Sequence, residues 1–187
     1  MTFAANLHLV LLHDQMLDKQ GQLVTTSLTM IDVHDMARSA RTFGVKTVFI
    51  AHPSQALRQL TRVLQQHWHE GFGATYNPNR KEALELINLV ADLDEVILKL
   101  EMKYGQLPRL VATSARPGLD RVTFSELRQQ LRSDKEHYLI MFGTGWGMSN
   151  ALLERADLFL EPIPGRSDYN HLSVRSACAI ILDRLTS

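Results

Sequence analysis

A chain of 187 residues with 45% hydrophobic content can bury one sizeable core, so a single domain over residues 1–187 is expected. Twenty basic residues against twenty acidic ones give zero formal charge. That excludes a global field that would attract nucleic acid or membrane, although a local basic patch remains open. The single cysteine, Cys178, excludes an internal disulfide. The opening MTFAANLHLVLLHDQ lacks a basic segment and carries His and Asp too early for a secretion signal. No apolar run approaches the ~20 residues that cross a bilayer, so the expectation is a soluble, cytoplasmic protein with no membrane partner.

Apolar runs alternate with helical periods along the chain. Residues 7–12 (LHLVLL) form the first expected strand. Val33, Met36, Ala37, Ala40 and Phe43 then keep a three-to-four spacing that Gly44 stops. A strand follows over 46–51 (KTVFIA), and the stripe Leu57, Leu60, Leu64 and Trp68 predicts a second helix up to Gly71. The segment 84–90 is ambiguous and is taken as a strand after a short helical turn. Leu93, Val96, Ile97, Leu100 and Tyr104 predict a helix ending at Gly105. Further strands are expected at 109–113 (RLVAT), 137–142 (HYLIMF) and 158–161 (LFLE), with Thr123 and Glu126 at capping-box spacing before LRQQL. Ser173 is a good N-cap for a last helix whose stripe is Val174, Ala177, Cys178, Ile181 and Leu185. Strands alternating with helices predict an α/β fold with a mostly parallel sheet covered by helices on both faces.

Function in such folds concentrates where strands end and loops lead into helices. Three late junctions fit: ATSARPG (112–118), FGTGWGMSN (142–150) and EPIPGRSDYNHLS (161–173). In GTGWG, three glycines allow a sharp turn and close approach of backbone to a ligand. The loop lacks the Lys-Ser/Thr of a P-loop, and Met148 stands where a dinucleotide fingerprint has its last glycine, so the motif alone is a weak nucleotide signal, with a tight turn without ligand as the alternative. In the third loop, Asp168, Tyr169, Asn170 and His171 stand in a row before the helix. Capping or turn stabilisation is the plainer reading of any one of them.

FGTGWG, EPI followed by DYNHLSVRSACAIILDRL, and TTSLTMIDVHDMARSARTFGV near the front resemble the SPOUT-class RNA methyltransferases. Within that class the chain is similar to a stand-alone bacterial family related to the knot domain of tRNA guanine-N1 methyltransferases. The resemblance runs from Leu7 to Leu185. It implies a deep C-terminal trefoil knot, a rare exception to the rule against threaded chains. It also implies S-adenosylmethionine bent across the three late loops, a homodimer paired through the terminal helix and the knot, and tRNA or rRNA as substrate. By position, Thr113 and Ser114 end the first ligand loop. Phe142, Gly143, Thr144, Gly145 and Gly147 form the second, and Ile163, Leu172, Ser173 and Val174 line the third. Most of that chemistry would come from backbone groups, with Ile163 and Leu172 supplying apolar faces.

Methyl transfer needs an in-line nucleophile and, where the nucleophile bears a proton, a base. No residue matches a family-standard base, so Asp168 is the candidate because it lies in the cofactor loop. Arg38 and Arg41 lie on the first helix, where similar enzymes present an arginine to RNA; a solvated helix face is the alternative. Arg175 could pair with Asp168 or with a neighbouring subunit. Eight histidines, including HWH at 67–69, show no zincin spacing and no cysteine cluster accompanies them, so no metal is expected. Cys178 and Trp68 lie on helix stripes and are expected to pack, and Trp146 could shield a ligand or anchor its loop. Two other functions stay open: a methyltransferase with a protein or small-molecule acceptor, and a knotted cofactor-binding dimer without catalysis.

Overall fold

A computed structural model describes residues 6–116, 118, 120–133, 135–167 and 169–187. In chain order the elements are β1 (Leu7–Leu12), β2 (Met16–Leu17), β3 (Leu23–Val24), α1 (Met30–Thr42), β4 (Thr47–Ala51), α2 (Gln55–His69), α3 (Phe72–Tyr76), α4 (Pro78–Leu84) and β5 (Ile87–Val90). There follow α5 (Leu93–Tyr104), β6 (Arg109–Ala112), β7 (Arg121–Val122), α6 (Phe124–Ser133), β8 (Tyr138–Gly143), α7 (Asn150–Leu153), β9 (Leu158–Leu160) and α8 (Val174–Thr186). Seven strands form one sheet in the order β5-β4-β1-β8-β6-β9-β7, and each of its strand pairs is parallel.

Side-chain alternation along the strands shows why both faces must be covered. Leu7, Leu9 and Leu11 of β1 enter a core with Val48 and Ile50 of β4, Ile140 and Phe142 of β8, and residues of α1, α4, α6 and α8. Val10 and Leu12 point to the other face, with Phe49, Leu139 and Met141, beneath α5 and α7. A period of two with every position of β1 and β4 buried leaves no face for water, which is the pattern of a buried parallel strand.

The helix boundaries follow local chemistry. Thr29, Ser54, Asp92 and Ser173 cap α1, α2, α5 and α8 by accepting hydrogen bonds from first-turn amides. Gly105 ends α5 in the left-handed region, at φ +73°. The Thr123–Glu126 capping box forms reciprocally: Thr123 N and Oγ1 donate to Glu126 Oε2 at 2.8 Å each, and Glu126 N donates back to Thr123 Oγ1 at 3.1 Å. The ambiguous segment 84–90 resolves as expected: α4 ends at Leu84 and β5 begins at Ile87.

Five elements lie outside the sequence expectation: β2, β3, α3, α4 and β7. Each is two to seven residues long, too short for a hydrophobic period to accumulate. The first late junction therefore does not run straight from strand to helix, because β7 pairs with β9 before α6 starts.

Candidate active site at the ends of three parallel strands

Strands β8, β6 and β9 are neighbours and parallel, so the loops at their C-terminal ends emerge side by side. The connections run outward in opposite senses from the β1–β8 pair, with β1 leading to β4 on one side and β8 to β9 on the other. This is the switch-point arrangement that opens a crevice at strand ends.

Polar contacts bind the loops to one another. Thr113 donates from N (3.3 Å) and Oγ1 (2.8 Å) to Met141 O, tying the end of β6 to β8. Arg116 Nη2 donates to Trp146 O at 3.1 Å, joining the first loop to the glycine loop. Arg121 reaches from the first loop to the third strand, donating to Leu160 O and Arg116 O at 3.2 Å each. In the third loop Asn170 Nδ2 donates to Ile163 O at 3.3 Å. The Trp146 and His171 rings meet edge-on at 6.5 Å, and Tyr169 lies 5.2 Å from His171, so the second and third loops touch through aromatic groups.

The β2–β3 hairpin clamps one side of the glycine loop. Leu17 N donates to Gly147 O (2.8 Å), Trp146 N to Leu17 O (3.0 Å) and Ser149 N to Gln15 O (3.0 Å). A Cβ on Gly143 would lie 2.7 Å from Met148 Cγ, and one on Gly145 would lie 3.0 Å from Leu17 O and 3.2 Å from Thr26 Cγ2. Those two glycines face the hairpin. Gly147, at φ +109°, has nothing within 4 Å of an added Cβ and faces open space. The Thr144 hydroxyl also turns to the hairpin side, donating to Leu12 O at 3.2 Å and meeting Thr26 Oγ1. Thr26 in turn contacts His13 Nδ1 at 3.1 Å, and burial, with a smaller contribution from His52, lowers the His13 pKa to about 4. His13 is thus a neutral buried strut behind the loop. No feature of the sequence pattern pointed to it or to the hairpin.

The remaining expected residues fall into distinct settings. Phe142 is buried in the core beneath α1 and α8, and Ile163 and Val174 pack against that core from its edge. Leu172 and Trp146 are about half exposed, at 47% and 50%, apolar groups left at the loop surface. The Ser173 hydroxyl is engaged as the α8 cap, accepting from Ser176 N at 3.2 Å. Ser114 Oγ accepts from Arg116 N at 3.1 Å. Asp168, the expected base, lies outside the described residues.

Arg175 joins the start of α8 to α1. Among the described residues its partners are two that the sequence did not suggest: its Nε lies 3.0 Å from Asp32 Oδ1 and its Nη1 3.3 Å from Asp35 Oδ2. The reason is geometric: α1 and α8 pack along each other, which brings the first turn of α8 beside the first turns of α1. Arg38 stands 3.8 Å from Asp35 and is 59% exposed, whereas Arg41 binds Glu82 of α4 at 2.8 Å. Two clefts flank α1. One runs to α8, lined by Asp35, Arg38, Thr42, Arg175 and Ser176, and the other to α4, lined by Arg38, Arg41, Asn77, Asn79 and Arg80. Glu161 was missed as well: its carboxylate accepts from Phe124 N at 2.7 Å, fastening the third loop to the start of α6.

Among the described residues no group of three or more His, Cys, Asp or Glu side chains is placed to hold a metal ion. Cys178 is buried in the core, and burial pushes its thiol up to about 12, so it is packing and not a nucleophile.

The model of the SAM-dependent RNA methyltransferase family matches residues 6–187. The chain belongs to that family. An uncharacterized protein of Aquifex aeolicus (strain VF5) is 42% identical over 182 residues, which cover 97% of this chain and 89% of that one. A tRNA (guanine-N(1)-)-methyltransferase of Oleidesulfovibrio alaskensis is 41% identical over 180 residues, 96% of this chain and 42% of the relative. The chain thus spans less than half the length of that methyltransferase. Among solved structures, the A. aeolicus TrmH/SpoU tRNA modifying enzyme superposes with a TM-score of 0.58 at 17% identity, over 97% of this chain and 74% of that one. The fold of this methyltransferase is therefore the α/β knot fold of the SPOUT class.

Proposed function

We propose that this protein transfers a methyl group from S-adenosylmethionine to tRNA, as a homodimer acting in the cytoplasm, with the cofactor held across the three late loops. The observation that carries the site is Gly147: a left-handed backbone position facing open space, next in the chain to the half-exposed Trp146, whose ring meets His171 of the third loop. A nucleoside with a sulfonium tail needs apolar faces for its base and unobstructed backbone for its polar edge. Ile163, Leu172 and Val174 offer the first, and the stretch from Thr113 to Ser114 and that around Gly147 offer the second. When bound, S-adenosylmethionine supplies an electrophilic methyl group, so this chain has only to align the acceptor and take up its proton.

In this reading Asp168 accepts that proton. Arg175 holds α8 in register with α1 through Asp32 and Asp35, fixing the end of the third loop. Arg38 stays exposed for a phosphate, and Arg41 is shared between Glu82 and substrate. The apolar surface of the third loop supports pairing of two copies through α8 and the knot. Labelled S-adenosylmethionine offered to tRNA, rRNA and total protein, followed by mass spectrometry of the digested acceptor, tests the reading. Label in a tRNA nucleoside is expected, with a dimer by light scattering. Label in protein alone overturns it.

A further inference from the structure

One surface is used neither by the fold nor by the three loops. On α3, Phe72 and Tyr76 are each 74% exposed, and their rings stack on one another at 5.6 Å. Apolar rings so exposed are costly in a folded protein unless something covers them. The helix that carries them is firmly held. Gly73 lies flat against Trp68, where a Cβ would meet the indole at 2.6 Å, and the Arg80 guanidinium lies 4.7 Å from the centre of the Trp68 ring. Trp68 thereby fixes α3 and α4 together, and Asn77 ends the one and caps the other.

Tyr76 immediately precedes the cleft between α4 and α1, which is lined by Arg38, Arg41 and Arg80 with Asn77 and Asn79. Glu82 is bound to Arg41 across the two helices. Arg80 has no carboxylate within ion-pair distance among the described residues, and its buried Nε has no hydrogen-bond partner. Arg38 lines this cleft and also the one that leads to Arg175 at the start of α8. Rigid stacked aromatics beside a cationic groove are the two components of single-strand recognition, in which bases stack and phosphates follow the groove.

We infer that Phe72, Tyr76, Asn79, Arg80, Arg41 and Arg38 form a docking track for unpaired nucleotides of the RNA substrate, leading a loop or single-stranded end along α1 toward the knot. Unstacked bases are required because paired RNA has no face to offer Phe72 or Tyr76. The inference rests on the reading of this chain as acting on RNA, and goes beyond it by naming the surface and the form of RNA.

Fluorescence anisotropy with a labelled mixed-sequence single strand, and with its duplex, tests the track across a salt series. Wild type should prefer the single strand. The double variant Phe72→Ala/Tyr76→Ala should bind it roughly 10- to 100-fold more weakly with the salt slope unchanged, since a lost base stack is uncharged. Arg80→Ala should flatten the slope by about 0.7, the share of one phosphate contact on a single strand. Because Arg80 also packs on Trp68, the exposed Asn79→Asp serves as a second groove variant and should weaken binding without altering the melting curve. All variants should keep wild-type affinity for S-adenosylmethionine by calorimetry. If wild type methylates RNA and the aromatic double variant binds the strand normally, the track is wrong and the function stands. A double variant that loses self-association by light scattering while keeping RNA affinity would assign the surface to a second copy of the chain and overturn the inference. Methyl transfer to protein alone would remove the premise itself.

Discussion

Two glycines of one loop, two residues apart, should fail in different ways when given a methyl group. Gly145 and Gly147 both have positive φ, +59° and +109°. Alanine at 145 adopts a left-handed conformation costing roughly 1–2 kcal/mol, and its Cβ lands 3.0 Å from Leu17 O and 3.2 Å from Thr26 Cγ2. Leu17 O already accepts from Trp146 N, so the hairpin cannot retreat without lengthening that bond, and overpacking of this kind costs a further ~1–3 kcal/mol. The total, about 2–5 kcal/mol, lowers the melting temperature by roughly 5–15 °C for a chain of this size. Alanine at 147 pays only conformational strain, about 1–3 kcal/mol, because its Cβ meets nothing. That Cβ does enter the open space assigned to the cofactor, so S-adenosylmethionine affinity should fall at least about tenfold, more than for Gly145→Ala. Thermal melts and titration calorimetry on both variants measure the two effects. If Gly145→Ala melted like wild type while Gly147→Ala bound the cofactor with full affinity, the division of the loop into a hairpin side and a ligand side would be refuted.

Asp168→Asn should leave S-adenosylmethionine affinity and the proposed dimer intact while lowering turnover roughly a hundredfold or more; normal turnover on the true acceptor would remove the base assignment. Arg175→Met leaves Asp32 with only its Thr29 hydrogen bond and Asp35 with only the longer Arg38 contact, and because the arginine side chain is 30% exposed the cost should be about 1–2 kcal/mol in urea unfolding, partly recovered by a second change, Asp32→Asn. The buried histidines make stability depend on pH: burial, then the nearby charges of His137, Lys103 and Lys46, lowers the His8 pKa to about 3, and that of His13 falls to about 4. Both bind protons more weakly folded than unfolded, so the stability they leave intact at neutral pH is lost as pH falls below about 6.5, by up to ~1.4 kcal/mol per pH unit for each group, and a flat unfolding free energy between neutrality and about pH 5 would contradict this. Arg38→Ala should weaken RNA binding and flatten its salt dependence, whereas Arg41→Ala should also loosen α4 through loss of Glu82, visible as a small drop in melting temperature.

The sequence by itself determined the layered α/β fold. Each main strand is a short, mostly apolar run, as in LHLVLL and HYLIMF, and each main helix has a stripe closed by a cap or a glycine, so these elements follow from interactions within a few residues. The three late loops were legible for the same reason, since they interrupt those patterns with glycine, proline and a polar row. Only the tertiary structure decided what the loops lean on. The β2–β3 hairpin has two residues in each strand and no period, yet it occupies the faces of Gly143 and Gly145 that composition alone would leave to a ligand. Arg175 gave no local sign of its partners, because Asp32 and Asp35 lie about 140 positions away and arrive only when α8 packs along α1. Likewise Arg38, Arg41 and Arg80 share a cleft because Trp68 and Glu82 hold α4 against its neighbours. Periodicity records which face of an element is buried; it carries no information on which distant face will meet it, and the contacts that shape this site are of that second kind.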